Sequence, residues 1–120
     1  MVEPLLVVDA ANVVGSVPNG WWRDRRGAAV KLRDALAGLG EARSVEVVLV
    51  VEGAARDVPP IPGVRVERAP GSGDDAIVAV VAAGRAGDRT VVVVTADREL
   101  RDRVTALGAE VTGPRSLPYP

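Results

Sequence analysis

The chain has 120 residues, 48% hydrophobic and 26% charged, with a formal net charge of −1; residues 1–120 suffice for one domain with one core and carry no overall basic field to draw in a polyanion. It contains no cysteine and no histidine, which excludes disulfides, thiolate zinc sites, imidazole bases and every nucleophilic dyad or triad built on His or Cys. Any chemistry must come from carboxylates, hydroxyls, amides, arginine, the single lysine Lys31 and a hard metal ion.

In chain order, LLVVDA (5–10) is a short apolar run rich in β-branched residues and reads as a buried strand. The polar loop GSVPNGWWRDRRG follows. From about 26 to 39 the apolar spacing turns helical, with Ala28, Leu32, Leu36 and Leu39 on one face and Gly40 as a stop. SVEVVLVVEG (44–53) reads as a second buried strand, ARDVPPIPG as a Pro-rich connector, and VRVERA (64–69) as a shorter, half-exposed strand. PGSGDD leads into a helix over roughly 74–84. TVVVVTA (90–96) is a strand, DRELRDRVTALG (97–108) a helix with Leu100, Val104 and Leu107 inward, AEVTG (109–113) a last strand, and 113–120 a C-terminal tail. Strands alternating with helices predict an α/β fold, a three-layer α/β/α sandwich around a mostly parallel sheet. The connection between strands two and three is the place where the alternation is expected to break.

No basic n-region opens the chain, and Asp9 interrupts its first apolar run. The longest apolar stretch, AIVAVVAAG (76–84), is far short of the ~20 residues of a membrane span. The expectation is a cytoplasmic protein.

In open parallel sheets, ligands bind outside the carboxyl ends of the strands. Here strand one ends in Asp9, strand two in Glu52, and strand four in Thr95 with Asp97 two residues on; Asp74 and Asp75 open the central helix. Crowded carboxylates raise one another's pKa, so gathering them is costly unless a cation is held. Mg²⁺ and Mn²⁺ take oxygen ligands of this kind, together with water and substrate phosphate. A plainer role is open to each acid singly: Asp97, and Asp74 or Asp75, stand where helix N-caps stand. Other phosphate chemistries lack their residues. There is no GxxxxGK[ST] and no GxGxxG, and Ala11 occupies the second place of an Asp-x-Asp phosphatase motif.

Taken together, VVDAANVVGS, GSGDDAI and VVVVTADRELRDRVTALGAEV resemble the NYN domain, a branch of the PIN-like nucleases close to the YacP-type bacterial ribonucleases, over about residues 5 to 117. The resemblance implies a PIN-like fold and a metal-dependent endoribonuclease with Mg²⁺ or Mn²⁺. It assigns Asp9, Asp75 and Asp97 as catalytic metal ligands with Asp74 beside them, and Asn12, Thr95 and Glu52 as accessory groups, Glu52 standing where relatives often have Asp. It also implies RNA, single-stranded or ribosome-associated, as partner, and leaves a homodimer open. The same resemblance admits a catalytically inactive RNA- or ribosome-binding module; a nucleotide phosphohydrolase is a further alternative.

Trp21, Trp22, Arg23, Arg25 and Arg26 form a basic, aromatic cluster after strand one. Indoles stack on unpaired bases and guanidinium groups pair with phosphate, so these residues are expected to bind RNA. One Trp, with Trp22 the candidate, could instead fold under the first helix as core. Arg98 is expected either to touch phosphate or to pair with Glu99 or Asp102.

Overall fold

The computed structural model describes residues 2–120. Strands β1 (Leu5–Asp9), β2 (Glu46–Val51), β3 (Val64–Arg68), β4 (Val91–Val94) and β5 (Glu110–Thr112) form one sheet in the order β3-β2-β1-β4-β5. Every pairing is parallel. Helices α1 (Ala10–Gly15), α2 (Arg25–Ala35), α3 (Leu39–Arg43), α4 (Gly73–Ala86) and α5 (Arg98–Thr105) complete the architecture, the α/β/α sandwich expected from the sequence.

The unbroken valine runs follow from burial on both faces, which removes the polar alternation of a half-exposed strand. Leu6, Val8, Val47 and Leu49 pack with Ala28, Leu32, Leu36 and Leu39 on one side. Leu5, Val7, Val48, Val50, Val91 and Val93 pack with Ile77, Val81, Leu100 and Val104 on the other. The chain therefore lays down β1, β2 and β3 in one direction, then returns past β1 to place β4 and β5 on its far side. That reversal creates a topological switch point between β1 and β4, where α/β sheets form their ligand crevice.

Several local expectations are corrected. β1 passes directly into α1 without a loop: Asp9 has extended geometry and its carboxylate accepts from Asn12 N, capping the helix it precedes. The periodic segment 26–39 is not one helix. It breaks at Gly38, whose φ of 82° suits glycine, and Gly40 lies inside α3 rather than ending α2. Gly40 is small for a reason of its own, since a Cβ there would come within 2.7 Å of the Val45 carbonyl oxygen. Leu107 is not inward; α5 ends at Thr105, and Leu107 is exposed. The β2–β3 connection has no α-helix, only the 3₁₀ turn Gly53–Ala55, as the Pro-rich sequence anticipates. Residues 113–120 are more than a tail: Leu117 is buried in the α1–α2 core with Tyr119 packed alongside, and the Arg43 guanidinium donates to the Ser116 carbonyl at 2.8 Å. No helix among the described residues is long and apolar enough to cross a membrane.

Candidate active site

The switch point places three segments together. The register sets Val8 beside Val94, so Asp9 and Thr95, the next residue of each strand, emerge side by side at the carboxyl edge. Both are almost wholly buried. The Thr95 hydroxyl donates to Asp9 Oδ2 at 2.9 Å, and Asn12 N donates to Oδ1 at 3.4 Å. Thr95 Oγ1 in turn accepts from Asp97 N at 3.2 Å, and the Asn12 side-chain oxygen accepts from Ala96 N at 2.8 Å. These bonds fasten the start of α1 to the turn after β4, and the one between Thr95 and Asp9 satisfies polar groups that are buried. Asp97 caps α5, its Oδ1 accepting from Leu100 N at 2.9 Å. The capping role and a place at the rim coexist in this one residue, because the cap uses one carboxylate oxygen and leaves the other.

The fourth contributor comes from β2. Glu52 follows the strand and its Oε2 accepts from Gly73 N at 2.9 Å, holding the first turn of α4 against the rim. Gly73 has no room for a side chain, since a Cβ would lie 2.9 Å from the Glu52 carboxyl group. α4 is capped by Ser72, whose Oγ accepts from Asp74 N at 3.1 Å, and not by Asp74 or Asp75.

The two adjacent aspartates part ways. Asp75 is paired with Arg103 of α5 at 3.0 Å, on the surface. Asp74 is half-buried, and its pKa is raised, first by burial and then by the charges of Asp97 and Glu52, with Arg103 opposing and Glu99 adding. The acid of α4 that shares the electrostatics of the crevice is therefore Asp74, where the sequence reading puts Asp75 first. Helix phase carried the signal: Ile77 and Val81, both buried, lie three and seven residues after Asp74 and continue its face. Ser72 and Gly73 belong to the turn that the sequence marks as opening this helix; Arg103, which also sets the arrangement, carries no such signal.

Asp9 is the most perturbed of the group. Burial raises its pKa from an ordinary 3.8 to about 6, the bonds from Thr95 and Asn12 N oppose this, and the charges of Asp74 and Glu52 push it further up. Asp9, Glu52, Asp74 and Asp97 thus repel one another across one corner of the molecule. Among the described residues, however, no three acidic side chains are gathered tightly enough to cage a metal ion unaided.

Beside the acids lies a groove of about 380 Å³ reaching from Ala10 and Glu52 to Trp21 and Arg25. Here the tryptophan roles are exchanged relative to expectation: Trp21 is half-buried and packs on the core, while Trp22 stands 56% exposed. The two rings meet edge to face at 6.1 Å. Arg25 lies 5.6 Å from the Trp21 ring and Arg23 5.9 Å from that of Trp22, within cation–π range. Arg26 is engaged with Asp57 at 2.9 Å. Arg98 is exposed and pairs with neither Glu99 nor Asp102.

No family model and no curated protein sequence matches the chain. Its fold does match solved structures. Rae1 (YacP) from Bacillus subtilis superposes with a TM-score of 0.71 at 18% identity, and its W164L mutant with 0.70 at 19%. Each match covers 92% of this chain and 69% of the other. The likeness is one of fold: a parallel five-stranded α/β/α sandwich.

Proposed function

We propose that the chain is a metal-dependent endoribonuclease whose active site is the switch-point crevice, where one or two of the acids Asp9, Asp74 and Asp97 would bind the ion directly and the others would act through its waters. The observation that carries this reading is the built pair Asp9–Thr95. A carboxylate with 5% exposure is kept at a strand end against a burial cost, flanked by further acids, with no arginine or lysine bonded to it. Groups held at such a cost mark functional sites. The sequence resemblance to YacP-type ribonucleases supports it, and the fold shared with Rae1 (YacP) is consistent with that resemblance.

The donor set fits Mg²⁺ or Mn²⁺, since all donors are hard oxygens and such ions keep several waters while taking one or two protein carboxylates, so a closed cage is not required. When bound, the ion supplies an acidified water and offsets charge on the phosphate. The remaining work belongs to the chain. Thr95 and Asn12 fix the Asp9 carboxylate, Leu100 N orients Asp97, and Glu52 positions Asp74 through Gly73. Arg23, exposed on the adjoining loop, gives phosphate a guanidinium fork, and the open face of Trp22 accepts a base. Arg98, free of carboxylate partners beside Asp97, extends this track.

The test is incubation of single-stranded RNA with Mn²⁺ and the wild type, Asp9→Asn or Asp97→Asn. Cleavage that falls at least about 100-fold in both variants supports the proposal; equal cleavage by all three proteins refutes it. The absence of a closed acid cage favours one second reading, an RNA-binding module without turnover. RNA binding by the wild type with no Mn²⁺-dependent cleavage would establish that alternative.

A further inference from the structure

The groove beside the acids has features that phosphodiester cleavage alone does not require. Its walls are small: Ala10 and Ala11 open α1 immediately after Asp9, Ala29 comes from α2, and Ala54 from the 3₁₀ turn after Glu52. Short side chains at all these positions leave a space of about 380 Å³, at the small end of the ~300–1,000 Å³ range for small-molecule pockets and suited to one nucleoside. The end wall is an indole held in place, with Trp21 seated 3.7 Å from where a Gly15 Cβ would be and edge-on to Trp22.

Only two charged groups line this apolar slot, Glu52 and Arg25. Glu52 uses Oε2 for Gly73 N, and its Oε1 accepts no hydrogen bond from a described residue. Arg25 makes no ion pair with a described residue and lies against the Trp21 ring. A flat apolar body with a polar edge is what such a slot accommodates, and that describes a nucleobase. Guanine matches both charged groups. Its N1–H and N2 amino group donate to a carboxylate, and its O6 and N7 accept from a guanidinium fork. Uracil has a single ring N–H donor and no such pair of acceptors.

We propose that this slot receives one unpaired base of an RNA strand, guanine in preference to uracil, with Trp21 as the stacking wall and Glu52 and Arg25 as the specificity-determining groups. The inference rests on the reading of the crevice as an RNA site, and it adds the nucleotide that lies next to the acids: Ala10 adjoins Asp9 in the chain, and Glu52 belongs to both slot and rim.

Binding can be separated from cleavage. A fluorescein-labelled oligouridylate and the same strand carrying one central guanosine are titrated by anisotropy at low salt in EDTA. Wild type should bind the guanosine strand several-fold tighter. Ala54→Leu, at an exposed position where the fold tolerates a larger side chain, should abolish that preference by filling the slot, and Glu52→Gln should reduce it while keeping an acceptor for Gly73 N. Thermal melts confirm that both variants are folded. Equal affinity of the wild type for the two strands, or an undiminished preference in Ala54→Leu, overturns the proposal. Because no metal is present, lack of Mn²⁺-dependent cleavage leaves this result untouched; conversely, cleavage without base preference removes the slot and spares the catalytic reading.

Discussion

Replacing Asp9 by Asn isolates the energetic cost of the buried carboxylate. Asn keeps the volume and the acceptor-plus-donor pattern of the protonated acid, not the two acceptors of the carboxylate that Thr95 and Asn12 N use, and it can no longer ionise. In the folded protein the Asp9 pKa stands at about 6 against 3.8 ordinarily, so the folded state binds more protons than the unfolded state between those values. Wild-type stability must then fall as pH rises through this window, while the variant is spared that loss. With about 1.36 kcal/mol per pH unit of difference, Asp9→Asn should be more stable than wild type by about 3 kcal/mol at pH 7.5, but by only about 0.5 kcal/mol at pH 4. For a domain of this size the larger figure corresponds to a rise in Tm of about 10 °C. Urea unfolding followed by tryptophan fluorescence in EDTA, at pH 4 and pH 7.5, reads both values. A variant no more stable than wild type at pH 7.5, or a gap that does not widen with pH, would refute the claim that burial keeps this acid under strain.

Two further substitutions probe the supports of the site. Thr95→Val preserves shape but removes both the donor to Asp9 Oδ2 and the acceptor for Asp97 N; it should cost about 1–3 kcal/mol and extend the pH-dependent loss to higher pH, because the Thr95 bond is the larger of the two that oppose the rise of the Asp9 pKa. Leu117→Ala should cost about 2–5 kcal/mol, as a deletion from a packed core does, whereas a free tail would register nothing in the same denaturant melt.

What could be read in the sequence follows from what burial forces on it. The runs LLVV, EVVLVV and VVVV admit little besides strands covered on both faces, and their parallel alignment brings Asp9, Glu52 and Asp97 to one edge. Element ends were less legible. Ala28, Leu32, Leu36 and Leu39 share a helical face whether or not Gly38 interrupts it, so periodicity alone does not reveal the break. α1 was hidden because Asp9 ends a strand and caps a helix at once, with no turn residue between. Trp21 and Trp22 are chemically equivalent neighbours, and only the tertiary packing decides which ring is sheltered. Asp74 and Asp75 differ in the same way, although there the phase of Ile77 and Val81 offered an answer.

The bond between Thr95 and Asp9 joins residues 86 positions apart. On the ribosome, the amino-terminal part of the crevice emerges long before its counterpart, and a nascent chain that stops after β3 holds Asp9 with no Thr95 to bond it and no α4 or α5 to shelter it. Contacts of such long sequence separation form late and depend on closing a large loop. An enzyme of the kind proposed would therefore gain its cutting ability only after synthesis has passed Asp97.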